Sequence, residues 1–171
     1  MDYIKFYSLE NYLFNEVRTN FSRRGFLSPE EFFCIVIWKA NRAKTAIKKR
    51  VLKFDKRLDV AVKKLTREIY LTRTKEEKLG ILLKKWKFRL PMASAILAVL
   101  YPDDFTVYDV RVRNQFNIDD FSDRKNQIEK YFSEFLPKVR NSSGKNLREK
   151  DMRLWGKSFY TDLQKFIVQE T

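Results

Sequence analysis

Asp109 is the side chain in this sequence best suited to chemistry. It follows Tyr108 and precedes Arg111 and Arg113, and the basic and aromatic run Lys84–Lys85–Trp86–Lys87–Phe88–Arg89 lies upstream. A fixed carboxylate can offset positive charge that develops beside it and orient an attacking water. Lys84, Lys85, Lys87 and Arg89 are suited to gripping phosphates, and Arg111 and Arg113 to reaching a nucleic-acid strand close to Asp109. Trp86, beside the basic turn, and Tyr108, beside the carboxylate, are candidates for a wedge or for stacking on a displaced base. Each residue also has a plainer reading. Asp is a favoured helix N-cap. A basic turn often makes only weak, exposed contacts. Arg111 and Arg113 are equally suited to pairing with Asp103, Asp104 or Asp109, and the last pairing would keep Asp109 ionised. Trp38 and Trp155 lie on apolar stripes and read as core.

The stretch from Lys84 to Phe116 must position these groups. Its parts come in a fixed order: the basic turn to Arg89, an apolar helix from Pro91 to Tyr101 rich in small residues, a Pro102–Asp103–Asp104 turn, and the segment Phe105–Thr106–Val107–Tyr108 leading into Asp109. Asp109 then opens a short helix carrying both arginines. At 1.5 Å per residue the apolar helix is about 16 Å long.

This order resembles the helix-hairpin-helix DNA glycosylase superfamily. There, a Leu-Pro-Gly-Val-Gly hairpin precedes a helix with an early Ala, and a later segment carries the catalytic aspartate. Ala93 falls at the early helical Ala, and Asp109 at the aspartate's distance beyond it without a gap. The Ala-Ser-Ala-Ile-Leu helix, the Tyr-Pro turn and Val-Tyr-Asp-Val-Arg also resemble a branch of small helical proteins, as does the tail from Asn146–Leu147–Arg148 through Arg153–Leu154–Trp155. The resemblance implies an all-α glycosylase-like fold, DNA binding and a catalytic Asp109. The family's hairpin glycines fall at Lys87 and Arg89, where glycine would allow close backbone approach and positive φ. Its nucleophilic lysine falls at about Pro91 or Met92, so no Schiff-base lysine is implied.

The bulk composition agrees with a nucleic-acid partner. Thirty-six Lys and Arg against 22 Asp and Glu leave a formal net charge of +14, and the pI is about 9.8. Such a balance suits binding to nucleic acid, and also solubility alone, an acidic protein or an anionic membrane. A chain of 171 residues, 44% hydrophobic and 15% aromatic, is expected to fold as a single domain with a true core. There is one cysteine, Cys34, and no histidine, so no internal disulfide, iron–sulfur cluster or Cys/His zinc site can be built. Cys34 reads as a core thiol, and no cofactor is expected. The N-terminus has no basic region leading into an apolar run, and the longest apolar run falls short of the roughly 20 residues of a membrane span. An intracellular, cytoplasmic monomer is expected, nucleoid-associated if it binds DNA.

Helix-period patterns dominate and no period-2 stretch stands out. Ser8 is expected to cap a first helix to about Asn20, with Leu9, Leu13, Val17 and Phe21 on one face and Gly25 as a left-handed stop. Ser28–Pro29–Glu30–Glu31 is a capping box opening a central helix through the apolar run Phe32 to Trp38. A basic helix from Lys39 to Arg50 follows after a break, its positive face either solvated or a phosphate rail. Further helices are expected over Asp55–Thr72, from Thr74 to about Lys85, and from Ser122 or Asp123 until Pro137 stops or kinks the chain. Asn146 caps the last, with Leu154, Trp155, Phe159, Leu163 and Phe166 on a buried face. The reading is a compact multi-helix protein that binds duplex DNA and acts as a monofunctional glycosylase through Asp109. The alternative is a non-enzymatic nucleic-acid-binding module on the same scaffold.

Overall fold

Ser28, Thr74, Asp109 and Asn146 cap helices where the sequence leads one to expect them. A computed structural model describes residues 3–121 and 126–169. The fold is all-α, with no strand among the described residues. The chain forms two compact units, Met1–Tyr101 and Pro102–Thr171.

In the first unit, α1 (Ile4–Tyr7) leads into α2 (Leu9–Asn11), a π-helical segment Tyr12–Val17, and α3 (Arg18–Arg24). Ser8 makes no side-chain cap to the backbone here. Leu13, Val17 and Phe21 are buried on the expected face. Gly25 ends α3 at φ 74°, a left-handed conformation that a side chain would strain. The chain restarts at α4 (Pro29–Ala40) through a complete capping box between Ser28 and Glu31. Glu31 is buried and fully employed. It accepts the Ser28 backbone N–H at 2.8 Å, Asn20 Nδ2 at 2.9 Å, and the Arg24 guanidinium. One carboxylate thus ties the end of α3 to the start of α4.

The expected break falls at a 3₁₀ turn, Asn41–Ala43, before the basic helix α5 (Lys44–Val51). Next is α6 (Leu58–Leu71), with Val62, Leu65 and Ile69 buried and Lys63, Lys64 and Arg67 exposed. Lys78 is buried against the end of α6, its ammonium donating to the Ile69 carbonyl at 2.9 Å and to that of Thr72. It sits in α7 (Lys75–Gly80), which Thr74 caps and which a π-helical segment, Ile81–Lys85, prolongs. The innermost helix is α8 (Leu90–Leu100). Every residue in it except Pro91 is buried. The apolar run of α4 is less central than expected: Phe32, Ile35 and Val36 are buried, but Ile37 is 38% exposed.

In the second unit, Phe105–Tyr108 runs into α9 (Val110–Asn114), followed later in the chain by α10 (Gln127–Lys130), a π segment Tyr131–Phe135, α11 (Leu136–Arg140) and α12 (Leu147–Gln169). The expected helix start at Ser122 or Asp123 lies outside the described residues. Pro137 does not stop the helix. It sits at the start of α11 directly after the π segment, whose widened hydrogen-bond pattern accommodates a residue with no N–H to donate. Tyr131 is the anchor of this unit. It is fully buried, its hydroxyl donates to the Thr106 carbonyl at 2.6 Å, and the Thr106 N–H donates back to it at 3.0 Å.

The last helix departs from expectation. Asn146 caps it, accepting the Glu149 N–H at 2.9 Å. Its expected buried face is open, however: Trp155 is 43% exposed, Phe159 47% and Phe166 61%. Burial falls instead on Leu147, Asp151 and Ser158. The 3.6-residue period correctly groups the apolar side chains on one face, but period says nothing about whether another element covers that face.

Glu31→Ala removes the shared acceptor of Arg24, Asn20 and the Ser28 N–H, and is expected to destabilise the first unit by about 2–4 kcal/mol in a denaturant melt. In the second unit, Tyr131→Phe leaves both backbone groups of Thr106 unsatisfied in the interior, with an expected cost of about 2 kcal/mol. Burial pushes the Tyr131 phenol well above its usual range and, with Glu31 nearby, raises Tyr12 to about 12. Both are neutral in the fold while unfolded tyrosines ionise near pH ~10. Stability is therefore expected to hold below about pH 10 and to fall as pH rises from there through the folded values, as a pH series of thermal melts would record.

Candidate functional site

The basic turn is built by alternation. Between the π segment and α8, Trp86, Phe88 and Leu90 point inward and are buried, while Lys87 and Arg89 are exposed. The Trp86 N–H donates to the Ile81 carbonyl at 3.0 Å and the Phe88 N–H to that of Leu82 at 2.8 Å, so the turn is fastened to the helix before it. Phe88 stacks near Phe32, with ring centroids 6.4 Å apart. Helix α8 then starts with Pro91 in its first turn, and the Ala93 N–H donates to the Arg89 carbonyl at 3.0 Å.

The two positions at which the resemblance places glycines differ in conformation. Lys87 takes φ 57°, the left-handed region in which glycine is at ease and a lysine is strained. Arg89 is extended, at φ −81° and ψ 151°, and needs no glycine. The turn therefore holds a left-handed residue at Lys87 without glycine's freedom. The Arg50 guanidinium on α5 donates to the Lys87 carbonyl and lies over the Phe88 ring at 5.9 Å, which helps hold that conformation.

The basic side chains of the turn are not equivalent. Lys85 pairs with Glu68 at 2.7 Å. Lys84, Lys87 and Arg89 are exposed and make no ion pair with a described residue. Trp86, read from the sequence as a wedge or stacking candidate, is enclosed: it is 0% exposed, its ring stacks on Phe54 with centroids 4.0 Å apart, and its indole N–H donates to Glu68 at 3.1 Å. It has no free face to offer a base. Its aromatic spacing beside the charged turn reflects inward anchoring.

In the second unit, Asp109 caps α9 and is half-buried. Its Oδ1 accepts the Arg111 backbone N–H at 3.0 Å, and its carbonyl accepts the Arg113 N–H at 2.8 Å. The carboxylate is therefore held in one orientation. Tyr108 is buried, stacked on Phe121 with centroids 5.1 Å apart, and its hydroxyl accepts the Phe121 N–H at 3.0 Å. Burial raises its phenol above the usual range. Tyr108 thus fixes the segment ahead of Asp109 and, like Trp86, has no face for stacking. The two arginines pair with carboxylates other than those expected. Arg111 bonds Asp162 at 2.5 Å and lies over Trp155 and Phe159, and Arg113 bonds Asp120 at 3.2 Å.

The tryptophans invert the sequence reading. Trp86 is core, Trp155 is exposed, and Trp38 is half-buried with its ring edge-on to Phe14 at 5.7 Å. Cys34 is half-buried rather than a deep core thiol, and burial raises it above the usual thiol range. No group of His, Cys, Asp and Glu among the described residues is arranged to hold a metal, and no described helix is long and apolar enough to cross a membrane. Sequence reasoning placed Arg50 on the positive face of the basic helix with Arg42, Lys44, Lys48 and Lys49, but missed its tie to the Lys87 carbonyl, which has no local signal because the partners are far apart in the chain.

Charge is divided unevenly between the units. Residues 1–101 carry 23 Lys and Arg against 10 Asp and Glu, a formal +13, and residues 102–171 carry 13 against 12, a formal +1. Comparison with protein-family models, with curated proteins and with solved structures finds no match.

If Lys87 is strained for a surface role, Lys87→Gly should relieve the left-handed penalty and raise stability by about 0.5–1 kcal/mol in a denaturant melt. The same change is expected to weaken binding to duplex DNA, read by fluorescence anisotropy.

Proposed function

We propose that this protein binds duplex DNA and removes a damaged base by hydrolysis, with Asp109 as the working carboxylate. The observation that carries the reading is the state of Asp109: half-buried, on a rigid segment fixed by Tyr108 and Tyr131, and oriented by the backbone of α9. A carboxylate held in this way needs no reorganisation when positive charge develops beside it.

In the proposed reaction the bond from the sugar's anomeric carbon to the base breaks, and its electron pair leaves with the base. The sugar becomes oxocarbenium-like and its charge is offset by Asp109. Water adds to the anomeric carbon, Asp109 accepts its proton, and solvent protonates the departing base. Neither Pro91 nor Met92 offers an amine, so strand cleavage by β-elimination is not part of the reading. The formal +13 of residues 1–101 supports the DNA-binding half of the proposal.

The second reading is a binding module without chemistry. It is favoured by the burial of Trp86 and Tyr108, which leaves neither predicted aromatic free to stack on a displaced base, and by the carboxylate partners of Arg111 and Arg113. Base release from a panel of damaged duplexes separates the two. The wild type is expected to release one class of base, and Asp109→Asn to lose at least about a hundredfold in rate. Release undiminished in Asp109→Asn removes the assigned role. No release from any duplex, with salt-sensitive binding intact in both proteins, leaves the binding module.

A further inference from the structure

We infer that α5 and the Lys84–Arg89 turn form one surface for the phosphate backbone of duplex DNA, with α5 supplying contacts that the turn alone cannot make. The inference rests on the DNA-binding half of the proposed function and is independent of Asp109.

Two of the segments of the first unit that contain basic residues and no acidic ones meet in the fold. Asn41–Phe54 holds Arg42, Lys44, Lys48, Lys49, Arg50 and Lys53, and Lys84–Arg89 holds Lys84, Lys85, Lys87 and Arg89. They are distant in the chain, yet the fold joins them through the Arg50 guanidinium on the Lys87 carbonyl. The turn's left-handed residue and its neighbouring basic helix are thus one structural feature.

The way α5 is seated determines which cations remain available. Ile47 and Val51 are buried, and Trp86 stacks on Phe54 just beyond the helix. At about 100° per residue, Lys49 falls on the opposite face, Lys44 and Lys48 along one flank, and Arg50 along the flank that meets the turn, with Lys53 in the turn just after the helix. Lys48, Lys49 and Lys53 are exposed and make no ion pair with a described residue. Lys44 is engaged only lightly, donating to Asn41 at 2.8 Å. Holding like charges this close is unfavourable without a counter-charge, and an extended polyanion relieves the repulsion at several points together.

The chemistry of the surface selects the partner. Protein interfaces are poor in lysine and rich in exposed aromatic and Met side chains at their centres. This surface is lysine-rich, and its Phe88 and Trp86 are buried. A helix that lies in a lipid headgroup layer needs large apolar side chains facing outward. Those of α5, Ile47 and Val51, face inward. A nucleic-acid backbone asks only for repeated positive charge.

The test uses the full chain and a short undamaged duplex, with affinity measured by anisotropy across a salt series. Lys48→Ala, Lys49→Ala and Lys53→Ala are combined in one protein. A second protein removes the same charge from exposed lysines of the other unit, as Lys138→Ala, Lys157→Ala and Lys165→Ala. All three lysines, two on α5 and Lys53 just after it, are exposed, and thermal melts should match the wild type. Each lost phosphate contact lowers the log–log salt slope by about 0.9, so the α5 variant is expected to lose roughly 2–3 from the slope while the control keeps its own. An α5 variant with the wild-type slope overturns the inference and leaves the proposed function standing. An equal loss in both variants assigns the effect to net charge and also overturns it. A flat slope for the wild type removes the DNA-binding reading itself, and with it this surface.

Discussion

The burial of α8 is the constraint on which the first unit depends. A helix apolar on all sides has no solvent face, so neighbours must surround it. Its small residues, Ala93, Ser94, Ala95 and Ala98, allow those neighbours a close approach. Helices α3, α4 and α7 all pack against it. The basic turn is consequently anchored at its far end by the most buried element of the unit, and at its near end by Trp86 and Phe88. The charged side chains between them are displayed because the alternate residues are drawn inward.

That anchoring explains how a strained conformation survives without glycine. A left-handed lysine costs about 1–2 kcal/mol. Two buried aromatics on either side and a guanidinium on the Lys87 carbonyl hold the backbone there. Strain of this kind persists where the surroundings over-determine it, and it concentrates at sites that act. Here it lies in a turn whose exposed side chains, Lys84, Lys87 and Arg89, are basic.

Asp109 is held by different means. Its orientation comes from a helix cap, its neighbour Tyr108 is fixed by hydrogen bonding and stacking, and Tyr131 clamps the segment from behind. Capping and catalysis make compatible demands on a carboxylate, because both require it to be ionised and aimed. The aromatic residues bear directly on the choice between the enzymatic and the binding reading, since both predicted stacking partners are occupied with packing.

The sequence alone was sufficient for whatever depends on near neighbours. Ser28 with Glu31, Thr74, Asn146 and Gly25 act within one helical turn, so their roles were legible from spacing. The helix from Pro91, the Asp103–Asp104 turn and the N-cap role of Asp109 were legible for the same reason. Tertiary structure decided what depends on distant partners. It placed Trp86 in the interior and left Trp155 at the surface, because an apolar period marks a shared face and not the element that covers it. It carried the helix through Pro137 by a π segment that no local signal announces. It paired Arg111 with Asp162 and joined Arg50 to Lys87. Hydrogen bonds between residues far apart in the chain leave no mark in its spacing, and only the folded chain brings their partners together.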